Sequence, residues 1–128
     1  YNFINLVSDK SIIKTDEIGE NNIIFELNNV QKGVRIGNNC IFWSGNHIGH
    51  HSIIKDNCFI SSHTVISGNV EVGANSFIGV NSTVRDNIVI GEKCIIGANS
   101  LILKNLKSNS VVRVKQSEIS KITSDKLI

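Results

Sequence analysis

The chain has 128 residues, enough for one domain with a buried core. Apolar residues make up 41% and charged residues 19%, which excludes a disordered polymer, and no apolar run approaches the roughly 18 residues of a membrane-spanning helix. The formal net charge is only +2 and no basic run or basic–aromatic patch occurs, so the composition gives no case for nucleic-acid binding.

The chain starts at Tyr1 and contains no Met, so it reads as a processed product or a part of a longer polypeptide. From Leu6 a period of six takes over. Steps of six meet Leu6, Ile12, Ile18, Ile24, Val30, Ile36, Phe42, Ile48, Ile54, Ile60, Ile66, Val72, Ile78, Val84, Ile90, Ile96 and Ile102, every one apolar, with no shift of phase. This period fits neither an amphipathic helix nor a hairpin meander. It fits short strands joined by tight corners and wound into a coil, whose turns stack because none closes its own core.

Around the aliphatic position the other places of the hexad have their own character. Two residues earlier, side chains alternate back to the interior. From Val34 onward that place holds Val34, Cys40, Asn46, Ser52, Cys58, Thr64, Val70, Ser76, Ser82, Ile88, Cys94 and Ser100, small or apolar as a narrow interior requires. Three residues after the aliphatic position, from Asn39 to Asn105, stand eight Asn together with Gly45, His51, His63 and Lys93. Asn and Gly tolerate positive φ, so this place reads as a left-handed corner.

The stretch Gly45–Ser52, GNHIGHHS, holds three of the four histidines. The period separates them. His51, like His63 further on, takes a corner place where Asn is the norm. His47 points outward from a flat side, available to a substrate, to a neighbouring subunit, or simply to solvent. His50 stands beside a corner, where no backbone requirement explains a histidine. These directions diverge, so the cluster is a poor match for one metal site. Cys40, Cys58 and Cys94 share one interior column, where free Cys behaves as a small hydrophobe. Their odd number and the absence of a CxxC pair support neither a disulfide framework nor a zinc ribbon. Residues 108–128 leave the period. Val111–Val114 suggests one more strand and Ser117–Ile128 a short helix, together a cap over an open coil end.

The hexads V-R-I-G-N-N, S-F-I-G-V-N, I-V-I-G-E-K and C-I-I-G-A-N resemble the left-handed parallel β-helix acyltransferases. The left hand is implied by the resemblance alone, since general rules favour right-handed parallel crossovers. The segment beginning H-H-S-I-I-K-D-N-C-F-I-S and running to Ile102 is similar to the active-site half of bacterial sugar acetyltransferases. That group includes sialic acid O-acetyltransferases and N-acetyltransferases of nucleotide-linked amino sugars.

The resemblance implies an all-β, left-handed parallel β-helix over residues 1–107, a C-terminal cap over 108–128, and a Rossmann-like domain preceding residue 1. It implies transfer of an acetyl group from acetyl-CoA to a sugar hydroxyl or amine, in bacterial surface-glycan synthesis such as lipopolysaccharide or capsule. The enzyme would be a cytoplasmic homotrimer without a metal. His50 matches the family's catalytic base, and Gly68, one coil later, the donor of an N–H to the acetyl carbonyl. His47, Trp43 and Phe59 are candidates for the acceptor pocket, and Gly79, Val80 and Ala98 for the CoA wall. Gly49 stands where relatives often carry an acidic residue, which leaves the orienting partner of His50 unassigned. Two other readings stay open: a non-catalytic β-helix scaffold, and a trimeric metalloenzyme like the β-helix carbonic anhydrases.

Overall fold

A computed structural model describes all residues, 1–128. Two-residue strands form three parallel sheets, the flat faces of a three-sided coil. Face 1 has seven strands: Leu6–Val7, Ile23–Ile24, Ile41–Phe42, Phe59–Ile60, Phe77–Ile78, Ile95–Ile96 and Val111–Val112. Face 2 has six: Ile12–Ile13, Asn29–Val30, His47–Ile48, Val65–Ile66, Thr83–Val84 and Leu101–Ile102. Face 3 has four: Arg35–Ile36, Ile53–Ile54, Glu71–Val72 and Val89–Ile90. Through the middle of the coil, partners are one full turn apart, as in Ile48↔Ile66↔Val84.

The aliphatic row from Ile24 to Ile102 fills the interior, with most members wholly shielded from solvent. Each such side chain contributes about 1.5–3 kcal/mol relative to exposure. The whole place two residues earlier, Val34 to Ser100, is buried too. Its polar members are satisfied within their own coil and by the next one. Asn46 donates to the Trp43 carbonyl at 2.8 Å and accepts the Thr64 N–H at 2.8 Å. Ser52 donates to the Ser67 carbonyl and accepts the Val70 N–H. No buried side-chain N or O lacks a partner.

The corners take the left-handed conformation at Asn39, Gly45, His51, Asn57, His63, Asn69, Asn75, Asn81, Asn87, Lys93 and Asn99. Where Asn stacks on Asn the amides form a ladder, Asn21 to Asn39 to Asn57 to Asn75, with bonds of 2.9, 3.1 and 3.0 Å.

The period is broken at both ends, contrary to the unbroken series expected from Leu6. Val7 pairs with Ile24 and Ile13 with Val30, seventeen residues apart, while Ile18 bridges Ile36 at the full eighteen. The side between Ile13 and Ile18 is one residue short. Leu6 and Ile12 therefore face outward, and Val7 and Ile13 take the inward places. Ile12 is 56% exposed, whereas Ile13 packs on the core. Both members of Leu6–Val7 and of Ile12–Ile13 are apolar, so composition alone does not fix which one points in.

At the other end Ile90 bridges Leu106 and Ile96 pairs with Val112, sixteen residues apart. The corner after Ile102 is two residues short. Asn105 is consequently no left-handed corner, and its side chain accepts the Val89 N–H at 2.8 Å instead. The coil resumes through Val111–Val112. The helix expected over Ser117–Ile128 reduces to one 3-10 turn, Ser124–Lys126, with no buried residue. The segment is rich in Ser, Ile and Lys around it, and offers no continuous apolar stripe to bury.

Candidate active site

Faces 2 and 3 meet at a corner where the backbone stacks Lys32, His50 and Gly68 in successive coils. The His51 N–H donates to the Lys32 carbonyl, the Asn69 N–H to the His50 carbonyl at 2.9 Å, and the Asn87 N–H to the Gly68 carbonyl at 3.0 Å. The exposed His50 ring leans over Gly68. A β-carbon there would lie 2.5 Å from His50 Nε2 and 2.7 Å from Cε1. Only glycine leaves that room for the ring.

The Gly68 N–H has no acceptor within the chain. At three other corners the equivalent N–H is capped from the next coil, Glu20 by Asn38 at 2.7 Å, Asn38 by Asp56 at 2.8 Å, and Glu92 by Ser108 at 3.0 Å, whereas at Ser44, Ser62, Val80 and Asp86 it is left free as at Gly68; what sets Gly68 apart is the His50 ring beside it. The Gly68 corner thus presents a free donor beside an imidazole nitrogen.

His50 Nδ1 lies 3.2 Å from His51 Nδ1, the rings meeting edge to face with centroids 5.4 Å apart. His51 takes the corner conformation, φ 59°, as its place in the hexad requires. Its ring is seated on Gly33, itself at φ 76°; a β-carbon there would lie 2.6 Å from His51 Cδ2. His63 repeats the arrangement on the next corner, at φ 56° and seated on Gly45. The contact between His50 and His51 escapes the sequence, because adjacent residues at a corner diverge unless their rotamers turn them together. The signal present was the pair of glycines, Gly33 and Gly45, one coil before the two corner histidines.

The remaining candidates lie elsewhere on the coil. His47 is exposed on face 2, in register with Asn29 and Val65. Trp43 opens the corner between faces 1 and 2. It belongs to an outward aromatic row, with ring centroids 5.3 Å to Phe25 and 6.4 Å to Phe59, and Phe59 is stacked on Phe77 at 5.4 Å. Gly79, Val80 and Ala98 lie along that same corner in later coils, where the Asn99 N–H donates to the Val80 carbonyl. Within one chain, face 2, which carries His47, separates Trp43, Phe59, Gly79, Val80 and Ala98 from His50 and Gly68.

No three His, Cys, Asp or Glu side chains converge as a metal-binding group. The three thiols are free, buried, and donate to the Lys55, Gly73 and Lys107 carbonyls. The neighbouring Cys40 thiol, together with burial, pushes the Cys58 thiol above its ordinary value, so it stays neutral and structural. A concavity of about 540 Å³ lies one coil before His50, lined by Lys14, Asp16, Glu17, Lys32, Gly33 and His51 among others.

Comparison with solved structures returns acyltransferases at low identity. A mutant of perosamine N-acetyltransferase from Caulobacter crescentus, in complex with CoA and GDP-perosamine, superposes with TM-score 0.83 at 19% identity over 87% of this chain and 53% of that one. The acetyltransferase domain of PglB from Neisseria gonorrhoeae, in complex with acetyl coenzyme A, gives TM-score 0.73 at 22% identity over 84% and 50%. A mutant of AntD, an N-acyltransferase from Bacillus cereus in complex with dTDP and coenzyme A, gives 0.73 at 20% over 98% and 88%. The chain thus spans about half the length of the first two. These likenesses establish a shared fold, the left-handed parallel β-helix. Curated protein sequences gave no match. The bacterial transferase hexapeptide (six repeats) profile matches residues 33–68 and 69–104, more than half of the chain, so the chain belongs to the bacterial transferase hexapeptide family.

Proposed function

We propose that this chain is the β-helix of an acetyl-CoA-dependent transferase that acetylates a hydroxyl or amine of a nucleotide-linked sugar. The observation that carries this reading is the pair formed by His50 and Gly68: an imidazole nitrogen directly over a glycine whose N–H is free. An imidazole changes charge near neutral pH, which suits a general base. His50 Nε2 takes the proton from the acceptor as its O or N attacks the thioester carbonyl. The Gly68 N–H donates to the oxyanion that forms, a contribution of about 10²–10³ in rate for such donors. Collapse of the intermediate breaks the C–S bond, and the departing thiolate takes the proton back from His50 as free CoA.

His47, Trp43 and Phe59 then border the acceptor, and Gly79, Val80 and Ala98 form the wall along which CoA lies. Trp43 and the CoA wall share the corner between faces 1 and 2, while His50 and Gly68 stand at the corner between faces 2 and 3, so a complete site draws on two subunits of a homotrimer. Exposed apolar residues on face 1, among them Phe77, Ile95 and Val111, with Trp43 at its edge, support such association. The nucleotide-linked acceptor is supported by relatives that hold GDP-perosamine or dTDP together with CoA. The setting that follows is bacterial surface-glycan synthesis in the cytoplasm, where acetyl-CoA is at hand.

The test is release of CoA thiol from acetyl-CoA with a panel of free and nucleotide-linked sugars. Turnover by the native chain that is lost in His50→Ala supports the reading, and equal turnover by both refutes it. A melting temperature indifferent to acetyl-CoA points instead to a scaffold. Stoichiometric metal in the pure protein points to the carbonic-anhydrase-like alternative.

A further inference from the structure

We infer that His51 is the positioning residue of His50, so that a pair of neutral imidazoles does the work of orienting the base. This rests on the reading of His50 as the base. The contact is between like atoms, Nδ1 to Nδ1 at 3.2 Å. A single proton between them has two placements. If His51 carries it, His50 accepts at Nδ1 and its own proton sits on Nε2, the atom over Gly68, where it cannot act as a base. If His50 carries it, Nδ1–H donates to His51 Nδ1 and Nε2 is bare. Only the second placement is competent. In it His51 is a neutral acceptor with its proton on Nε2.

The pair also favours the step itself. When Nε2 takes the acceptor's proton, the His50 ring becomes a cation, and its Nδ1–H bond to His51 becomes charge-assisted and stronger. No proton passes to His51. Its ring is fixed independently of His50 by the seat on Gly33. The charged groups facing it are Lys14, Asp16, Glu17 and Lys32 of the adjoining concavity, with Glu17 also paired to Arg35 at 2.9 Å.

His63 supplies the control. It has the same corner conformation and the same glycine seat as His51, yet it does not touch His50. The backbone role of the two histidines is therefore matched and only the contact differs. His51→Asn and His63→Asn both place the residue that most corners already carry. His51→Gly removes any side-chain acceptor from the same left-handed position.

The experiment compares these three variants and His50→Ala with the native chain for kcat, KM for acetyl-CoA, melting temperature and pH dependence. Expected for His51→Asn and His51→Gly is a kcat loss of roughly tenfold or more, part of the ~10²–10⁴ that a general base contributes. KM for acetyl-CoA and melting temperature stay near native. The acid limb of kcat/KM moves to lower pH, because the protonated base has lost its acceptor. His63→Asn moves none of these. If His50→Ala is inactive while the His51 variants match His63→Asn in kcat and acid limb, this inference is overturned and the reading of His50 stands. If His50→Ala keeps native turnover, both fall.

Discussion

The His50 ring occupies the space that a β-carbon on Gly68 would need, 2.5 Å from Nε2, so the imidazole and the glycine are two halves of one feature built one coil apart. Parallel stacking makes this possible. Eighteen residues of sequence return the chain to the same corner, and a missing side chain on one coil becomes a berth for a ring on the previous one.

His50→Ala is expected to lower kcat by about 10²–10⁴, the range of a general base. The residue is exposed and contributes nothing to the core, so the melting temperature and the shift that acetyl-CoA produces in it should remain. Steady-state kinetics beside a thermal melt with and without acetyl-CoA check this.

Gly68→Ala tests the berth. Gly68 does not have positive φ, so alanine meets no left-handed backbone penalty, and the three atoms nearest to its β-carbon all belong to the ring of an exposed side chain, His50. Stability should change by less than about 1 kcal/mol. The His50 ring must swing away, and kcat should fall. In a His50→Ala background the same substitution should cost little more, and a double-mutant cycle reads that coupling.

Ala98→Trp is expected to block the CoA wall while leaving His50 in place. If a site joins the His50 corner of one subunit to the Ala98 corner of its neighbour, co-refolding inactive His50→Ala and Ala98→Trp chains restores activity. With random mixing in a cyclic trimer about a quarter of the sites are complete. A site built within one chain would recover nothing, and thiol release after mixing decides.

Asn57 links two steps of the amide ladder, to Asn39 at 3.1 Å and to Asn75 at 3.0 Å, from φ 59°. Asn57→Ala forces a β-carbon without polar compensation into a conformation that costs about 1–2 kcal/mol. Asn57→Gly relieves that strain and loses only the ladder, so denaturant melts should place it between Asn57→Ala and the native chain.

Much of this was legible from residue spacing. The hexad predicts an inward aliphatic row, a small buried place two residues earlier and a left-handed corner three residues later. The structure places Ile48, Ser52 and His51 accordingly. Spacing reports the backbone repeat well because each place of a coil has one steric environment, and one residue class survives there. It also separates His51, held by a corner, from His50, held by none.

Where two neighbouring residues fit the same environment, spacing falls silent. Ile12 and Ile13 are equally apolar, and only the pairing of Ile13 with Val30 shows that the coil lost a residue before Ile18. Asn105 keeps the corner composition, yet the shortened turn to Leu106 takes the corner away.

The sequence by itself determined the coil, its corners and the column that stacks His50 beneath Gly68, because those follow from period and backbone conformation. Tertiary structure decided that the His50 ring leans onto Gly68, that the Gly68 N–H is left uncapped, and that His51, unlike its twin His63, reaches His50. Those are matters of rotamer and of what the next coil supplies, and a repeat in one dimension does not encode them.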